Sequence, residues 1–357
     1  RFAFQFGRYL VIILSSFYLQ YRTNRRINMV NMFQSIRILF WCLHAIGLLS
    51  VEHGIVRGVS RFRPSDHARR KFGILFPLTL VVCGYLLYDC IFNCELSIAI
   101  GIKILWMSIS IVYELILVVI FLVLTWQTHR KRKSLTALLN ILAETEQELC
   151  TFTGRPTSYR NVTILTTIVL VNSMLAHIAA HLYYITKYYK NNNFIAIHLV
   201  NCCFLYTDLA MEYLLGFCSC LLLIQQNQLS RLIKLILKSN ISSNQHCYQG
   251  LWQLYCRLYN RFVYDMRGNL TIYFGPIIPP FCAYVCFEVA AIVLEAVGFD
   301  HTTNVMQIAV NLMWPLGDLK KLIVLFVLSE RSNKMVSKTL FLYNPNENPN
   351  ENDIITD

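Results

Sequence analysis

His177 and His181, and likewise Asp208 and Glu212, stand four residues apart inside long, otherwise uncharged stretches. That spacing puts both members of a pair on one helical face. An ionisable group at membrane depth is costly and usually faces a polar cavity or a partner. Glu288, Glu295, Glu114, Lys103 and Asp318 lie in comparable runs, and Tyr183, Tyr184, Tyr206, Tyr284, Phe287 and Trp314 are interspersed. Aromatic faces stack on sugar rings or on aromatic and cationic ligands, while acids and histidines orient polar groups. The candidate ligand-binding residues are His177, His181, Tyr184, Asp208, Glu212, Tyr284, Glu288 and Trp314. A plainer reading stands beside this one: Tyr and Trp near span ends form interfacial belts, and buried acids bond neighbouring helices. No enzyme is expected, since the chain has no phosphate-cradling glycine loop, no H-E-x-x-H and no G-x-S-x-G. No cysteine and histidine cluster has zinc-ligand spacing, so neither a metal nor a cofactor is expected.

The elements that would position these residues follow from composition. Of the 357 residues 55% are hydrophobic and only 15% charged, against roughly 25% charged in a soluble domain. The formal net charge is +12, but the bases adjoin apolar runs rather than aromatic-studded polar faces, which argues against a nucleic-acid partner. Six stretches reach the roughly 20 apolar residues that a helix needs to cross a bilayer: Phe72–Cys90, Ser97–Trp126, Val162–Thr186, Phe194–Ile224, Leu270–Gly298 and Val305–Leu328. Alternate connections are basic, among them "RFRPSDHARRK", "HRKRK" after Trp126, and the segments holding Arg231 to Lys238 and Arg331 to Lys338. The other three, "DCIFNCE", "KYYKNNN" and "FDHTTN", are short and nearly free of bases. By the positive-inside rule every basic connection is cytoplasmic, and so are both ends of the six-span unit.

The cytoplasmic segments carry helical patterns of their own. Leu135, Leu138, Leu139 and Leu142 share a face, "LSRLIKLILK" repeats the theme, and "LWQLYCRLYNRFVYDMRGNL" runs into the fifth span. Long helices are therefore expected to continue past the membrane and pack there. Met32–Val51 has bases on both sides, so an interfacial or re-entrant helix is expected rather than a crossing. "GPIIPP", Gly275 to Pro280, should unwind the fifth helix, because proline lacks the amide donor. The resulting divisions are an unplaced N-terminal segment 1–31, a cytoplasmic or interfacial region 32–71, a six-span bundle 72–328 and a polar cytoplasmic tail 329–357. The fold class is an all-α polytopic membrane bundle with cytoplasmic helix extensions.

In these features the chain resembles the insect gustatory receptors, the chemosensory family related to insect odorant receptors. The likeness runs through "GLLSVEHGIVRGVSRFRPSDHARRK", "THRKRKSLTALLNILAETEQEL", "LYNRFVYDMRGNL" and "GDLKKLIVLFVLSERSNKMVSKTL", in that order. The resemblance implies a taste receptor of the plasma membrane, a subunit of a ligand-gated cation channel. Its partners would be a small-molecule tastant, membrane lipid, and related receptors in a homo- or hetero-tetramer. It also implies a seventh, pore-lining helix with a Thr-Tyr, five apolar residues, then Gln-Phe, which these 357 residues do not contain. The chain as written is accordingly expected to carry no current alone. The rival readings are a polytopic transporter and a G-protein-coupled type of receptor.

Overall fold

The computed structural model describes residues 32–56, 59–66, 126–155, 157–188, 194–241, 245–298 and 305–343, with scattered positions between 77 and 124. The N-terminal segment 1–31, most of the first two expected spans, and the tail after Tyr343 lie outside the described residues. What is described is mostly helical.

Helix α1, Met32–Ala45, buries Met32, Phe33, Ile36, Leu39, Phe40 and Leu43, an apolar stripe at helical spacing. It ends in a Schellman turn. Gly47 takes φ 83°, Leu48 N–H donates to the Leu43 carbonyl at 2.9 Å, and Gly47 N–H donates to that of His44 at 3.2 Å. The chain then forms an antiparallel hairpin, β1 (Val51–Val56) with β2 (Val59–Pro64), in the register Val51↔Pro64 to Val56↔Val59. This hairpin departs from the all-α expectation. Its β-branched residues and the two-residue Arg57-Gly58 connection are a hairpin signal, which the basic residues around it obscure.

Helix α2, Arg132–Thr153, continues the helical residues 126–130 with a single irregularity at Lys131, φ −96° and ψ 15°. It stops at Gly154, whose φ of 65° is the left-handed conformation. α3 (Arg160–Tyr188) covers the expected third run, and α4 (Phe194–Ile241) begins where the fourth is expected and continues past it. α4 has 48 residues and is thus roughly 72 Å long, far more than a bilayer requires. α5 (Gln245–Asn260), a π-helical turn (Arg261–Met266), α6 (Arg267–Phe274), a 3₁₀ turn (Gly275–Ile277) and α7 (Ile278–Gly298) follow one another without a loop. α8, Val305–Tyr343, runs well past the expected span end at Leu328, so much of the supposed tail is helix.

Two helices among the described residues are long and apolar enough to cross a membrane: Leu209–Leu237 in α4, and Trp252–Ala290 from α5 through α7. The first is 89% buried and the second 33%, which makes α4 the central strut. α3 and α8 pack on α4, α7 packs on α8, α1 lies against α3 and α4, and α2 holds β2 and α6. Large apolar residues are exposed on two helices: Ile164, Ile168, Val171, Leu175 and Leu182 on α3, with Asn172 among them, and Leu319, Ile323, Val324, Phe326 and Val327 on α8, with Lys320 beside them.

Candidate functional site

The candidate residues sit on four helices. His177, His181 and Tyr184 are in α3, Asp208 and Glu212 in α4, Tyr284 and Glu288 in α7, and Trp314 in α8. These helices pack as a chain of neighbours, α3 on α4, α4 on α8 and α8 on α7. The side chains of His177, His181, Tyr184, Asp208 and Trp314 lie outside the described residues. Of the remainder, Glu212 is 6% exposed, and its carboxylate stands 3.8 Å from the Lys321 ammonium of α8. Tyr284 is buried and stacks on Phe281, with centroids 6.2 Å apart and planes at 16°. Glu288 is half-buried one turn further on. Glu212 is thus already engaged by a neighbouring helix, and Tyr284 is a packed core residue. Lys321 was missed by sequence reasoning, although two consecutive lysines, Lys320 and Lys321, interrupt an aliphatic run and are a visible signal.

A second constellation was not anticipated. Four buried glutamines, Gln127, Gln225, Gln226 and Gln228, lie where the apolar faces give way to charge. On α8 that change falls between Val327 and the exposed Glu330–Lys334 pair, 3.0 Å apart. Gln226 Nε2 donates to the Leu328 carbonyl at 2.7 Å, and Ser332 Oγ donates to Gln225 Oε1 at 2.9 Å, so α4 is bonded twice to α8. Gln127 Nε2 donates to the Ile272 carbonyl at 2.6 Å and lies 3.2 Å from that of Tyr273. Gln228 Nε2 donates to the Leu142 carbonyl at 2.9 Å and to Tyr159 Oη at 3.1 Å. Tyr159 in turn donates to the Glu146 carboxylate, whose other oxygen accepts from Thr157 N–H at 3.0 Å. Burial, reinforced by the Glu146 charge, holds the Tyr159 phenol well above its ordinary pKa. Arg231 closes the ring by donating to Thr157 Oγ1 at 2.7 Å and to Thr153 and the Arg155 carbonyl. Glu148 receives Arg261 at 2.6 Å and Arg257 at 3.9 Å.

This polar collar joins the segment ahead of α2 to α6, α2 to α4, and α4 to α8. Its bonds are mostly between neutral amides, carbonyls and hydroxyls, the buried Glu146 carboxylate accepts from Tyr159, and the Glu148 ion pairs lie nearer the surface. Such a collar transmits displacement of one helix to the others, since each amide that loses its partner stays buried and unsatisfied. It offers no nucleophile beside a base. Among the described residues no three His, Cys, Asp or Glu side chains converge as metal ligands.

Two cavities of the described part stand out, and neither is lined by the candidate residues. One, of about 590 Å³, lies between α1 and the hairpin. The other, of about 180 Å³, lies beside the collar among α4, the π turn and α8. No protein-family model matches the chain, and no curated protein matches it in sequence.

Proposed function

We infer that this chain is a multi-pass plasma-membrane protein, a chemosensory subunit of a ligand-gated cation channel of the insect gustatory-receptor kind. The observation that carries the membrane reading is the row of large apolar residues exposed on α3 and α8. From Ile164 to Leu182 that row covers 19 residues of α3, about 27 Å of helix, close to the thickness of a hydrocarbon core. Trp126, exposed at the end of the second run with the Arg130 guanidinium 5.3 Å from its ring centroid, would serve as an interfacial anchor. The chemosensory part rests on the order of sequence motifs and on long helices that leave the apolar region to form a packed cytoplasmic bundle. A small molecule arriving from outside would bind between α3, α4, α7 and α8 and shift a closed–open equilibrium. The collar would carry that shift into the cytoplasmic helices of a tetramer of this chain or of this chain with related receptors.

Two measurements test this. Single cysteines replacing Lys131, Lys234 or Asn192, on a cysteine-depleted background, are treated with an impermeant thiol reagent in intact cells. Only the 192 site is expected to react, and reaction at 131 or 234 would overturn the topology. Cation current is then recorded with sugars, bitter compounds and fatty acids, with and without a full-length related receptor. Ligand-evoked current that this chain creates or retunes supports the reading, and no effect in either arrangement rejects it. A proton-coupled transporter is the second reading, favoured by one observation, the Glu212–Lys321 pair between two apolar helices. Substrate uptake with proton movement and no channel current would establish it instead.

A further inference from the structure

The cleft between α1 and the hairpin has a volume of about 590 Å³, within the range of pockets that hold small ligands. One wall is the Gln34–Arg37–Trp41–His44 face of α1, and the other comes from β1 with Glu52, His53 and Ile55. Its floor is aromatic and rigid: Phe33 stacks on His53 with centroids 3.6 Å apart and contacts Phe40 and Phe62 edge-on. Its two rims are bulky and apolar, Trp41 being 55% and Ile55 72% exposed.

The charge in the cleft is uneven. Arg37 is exposed and makes no ion pair among the described residues. Glu52 does not neutralise it, because that carboxylate already accepts from Ser65 Oγ and lies 3.6 Å from Arg63. Arg61 and Arg63 are exposed on β2 but lie on the face of the hairpin opposite Phe62 and do not line the cleft, so Arg37 is its cation.

Position completes the argument. The hairpin is fixed to cytoplasmic α2, where the Asn140 amide donates to the Phe62 carbonyl at 2.9 Å and accepts from its N–H at 2.8 Å. α1 packs on α3 and α4, with Cys42 close to Tyr213 inside the fourth apolar run. The cleft therefore opens where hydrocarbon meets cytoplasm. An unpaired guanidinium at that level, one helical turn from an exposed Trp, has the geometry to take a lipid phosphate while the indole meets the acyl–headgroup boundary.

We propose that this cleft is a binding site for the headgroup of an anionic phospholipid of the cytoplasmic leaflet, with Arg37 on the phosphate and Trp41 and Ile55 against the upper acyl chain. This rests on the membrane reading above but not on the chemosensory one. The test uses the full chain in detergent, titrated with short-chain phosphatidylserine, short-chain phosphatidylcholine, glycerophosphoserine and inorganic phosphate, binding being read as a shift in thermal midpoint. Phosphatidylserine is expected to bind about tenfold more tightly than phosphatidylcholine. Arg37→Gln and Arg37→Glu should abolish the preference, and Trp41→Ala should weaken both lipids alike. Equal affinity for the two lipids, or an unchanged preference in both Arg37 variants, overturns the proposal. Equal binding of inorganic phosphate or glycerophosphoserine also overturns it, since the site would then be one for a free anion. The membrane reading fails separately, if the chain is recovered soluble without detergent.

Discussion

The Gln127 side-chain amide donates to the Ile272 carbonyl at 2.6 Å, and Ile272 lies four residues before Pro276. In a regular helix the amide of residue 276 would take that carbonyl, but proline has none. Gln127 replaces the missing donor and ties the end of the second apolar run to the break in the fifth. A buried carbonyl without its amide must find a partner in protein or water, and here a single side chain supplies it. The 3₁₀ turn at Gly275–Ile277 is thereby held in place.

Gln127→Leu is expected to lower stability by about 1–3 kcal/mol, the cost of leaving a buried carbonyl unsatisfied. Pro276→Ala restores the backbone donor, so the double variant should lose clearly less than Gln127→Leu alone. Thermal unfolding of the four proteins in one detergent measures the cycle. Simple additivity of the two changes would show that Gln127 does not serve this carbonyl.

Much of the helical frame was legible in the sequence, because uncharged runs of this length and leucine spacing leave few other folds. The start of α4 at Phe194, the end of α7 at Gly298 and the unwinding at "GPIIPP" follow from apolar length and proline chemistry. The hairpin was hidden because "VEHGIVRGVSRFRP" is short and charged, and its strands gain their apolar contacts from distant residues such as Phe33 and Phe40 on α1. The glutamine collar was hidden for a different reason. A neutral amide leaves no mark on a charge pattern, and its worth depends on which carbonyl a distant helix brings opposite it. Lys321 lay within reach of sequence reasoning, but its pairing with Glu212 required the packing of α4 on α8.

At Gly216 the helices α3 and α4 approach so closely that an added Cβ would lie 2.7 Å from Val169 Cγ1. Small residues serve this purpose where helices pack in lipid, and a valine side chain has little rotamer freedom with which to yield. Gly216→Ala should therefore cost about 1–3 kcal/mol through overpacking, even though alanine favours helix. Val169→Ala in the same chain should recover most of the loss. A Gly216→Ala protein as stable as the parent would mean that the two helices are further apart.

Alkaline pH should expose the Tyr159 node. The folded phenol keeps its proton above the pH of about 10 at which an unfolded chain releases it. The unfolded state then binds fewer protons, so this contribution is complete below pH 10 and declines as pH rises through the folded value. Tyr159→Phe should cost about 1–3 kcal/mol near pH 8, because Glu146 loses its donor. The gap between variant and parent should narrow above pH 10. Thermal midpoints of both proteins from pH 8 to 11 report this; a constant gap would place the phenol's titration in its ordinary range.

The Glu212–Lys321 pair poses the question of structural tie against ligand contact. Its carboxylate is nearly inaccessible and its ammonium only partly covered, so removing one partner leaves the other charged in a poor environment. Glu212→Gln and Lys321→Gln are each expected to cost roughly 1–3 kcal/mol, less than for a fully enclosed pair, because Lys321 retains some solvent. The double neutral variant should recover most of that loss, and so should the exchanged pair Glu212→Lys with Lys321→Glu. Because the carboxylate is already engaged, its first role is to hold α4 to α8. The double neutral protein should then keep both its stability and its ligand dose–response when co-expressed with a full-length related receptor. A stable double variant whose half-maximal ligand concentration rises about tenfold would make Glu212 a ligand contact, since that shift corresponds to about 1.4 kcal/mol of lost binding with no loss of fold.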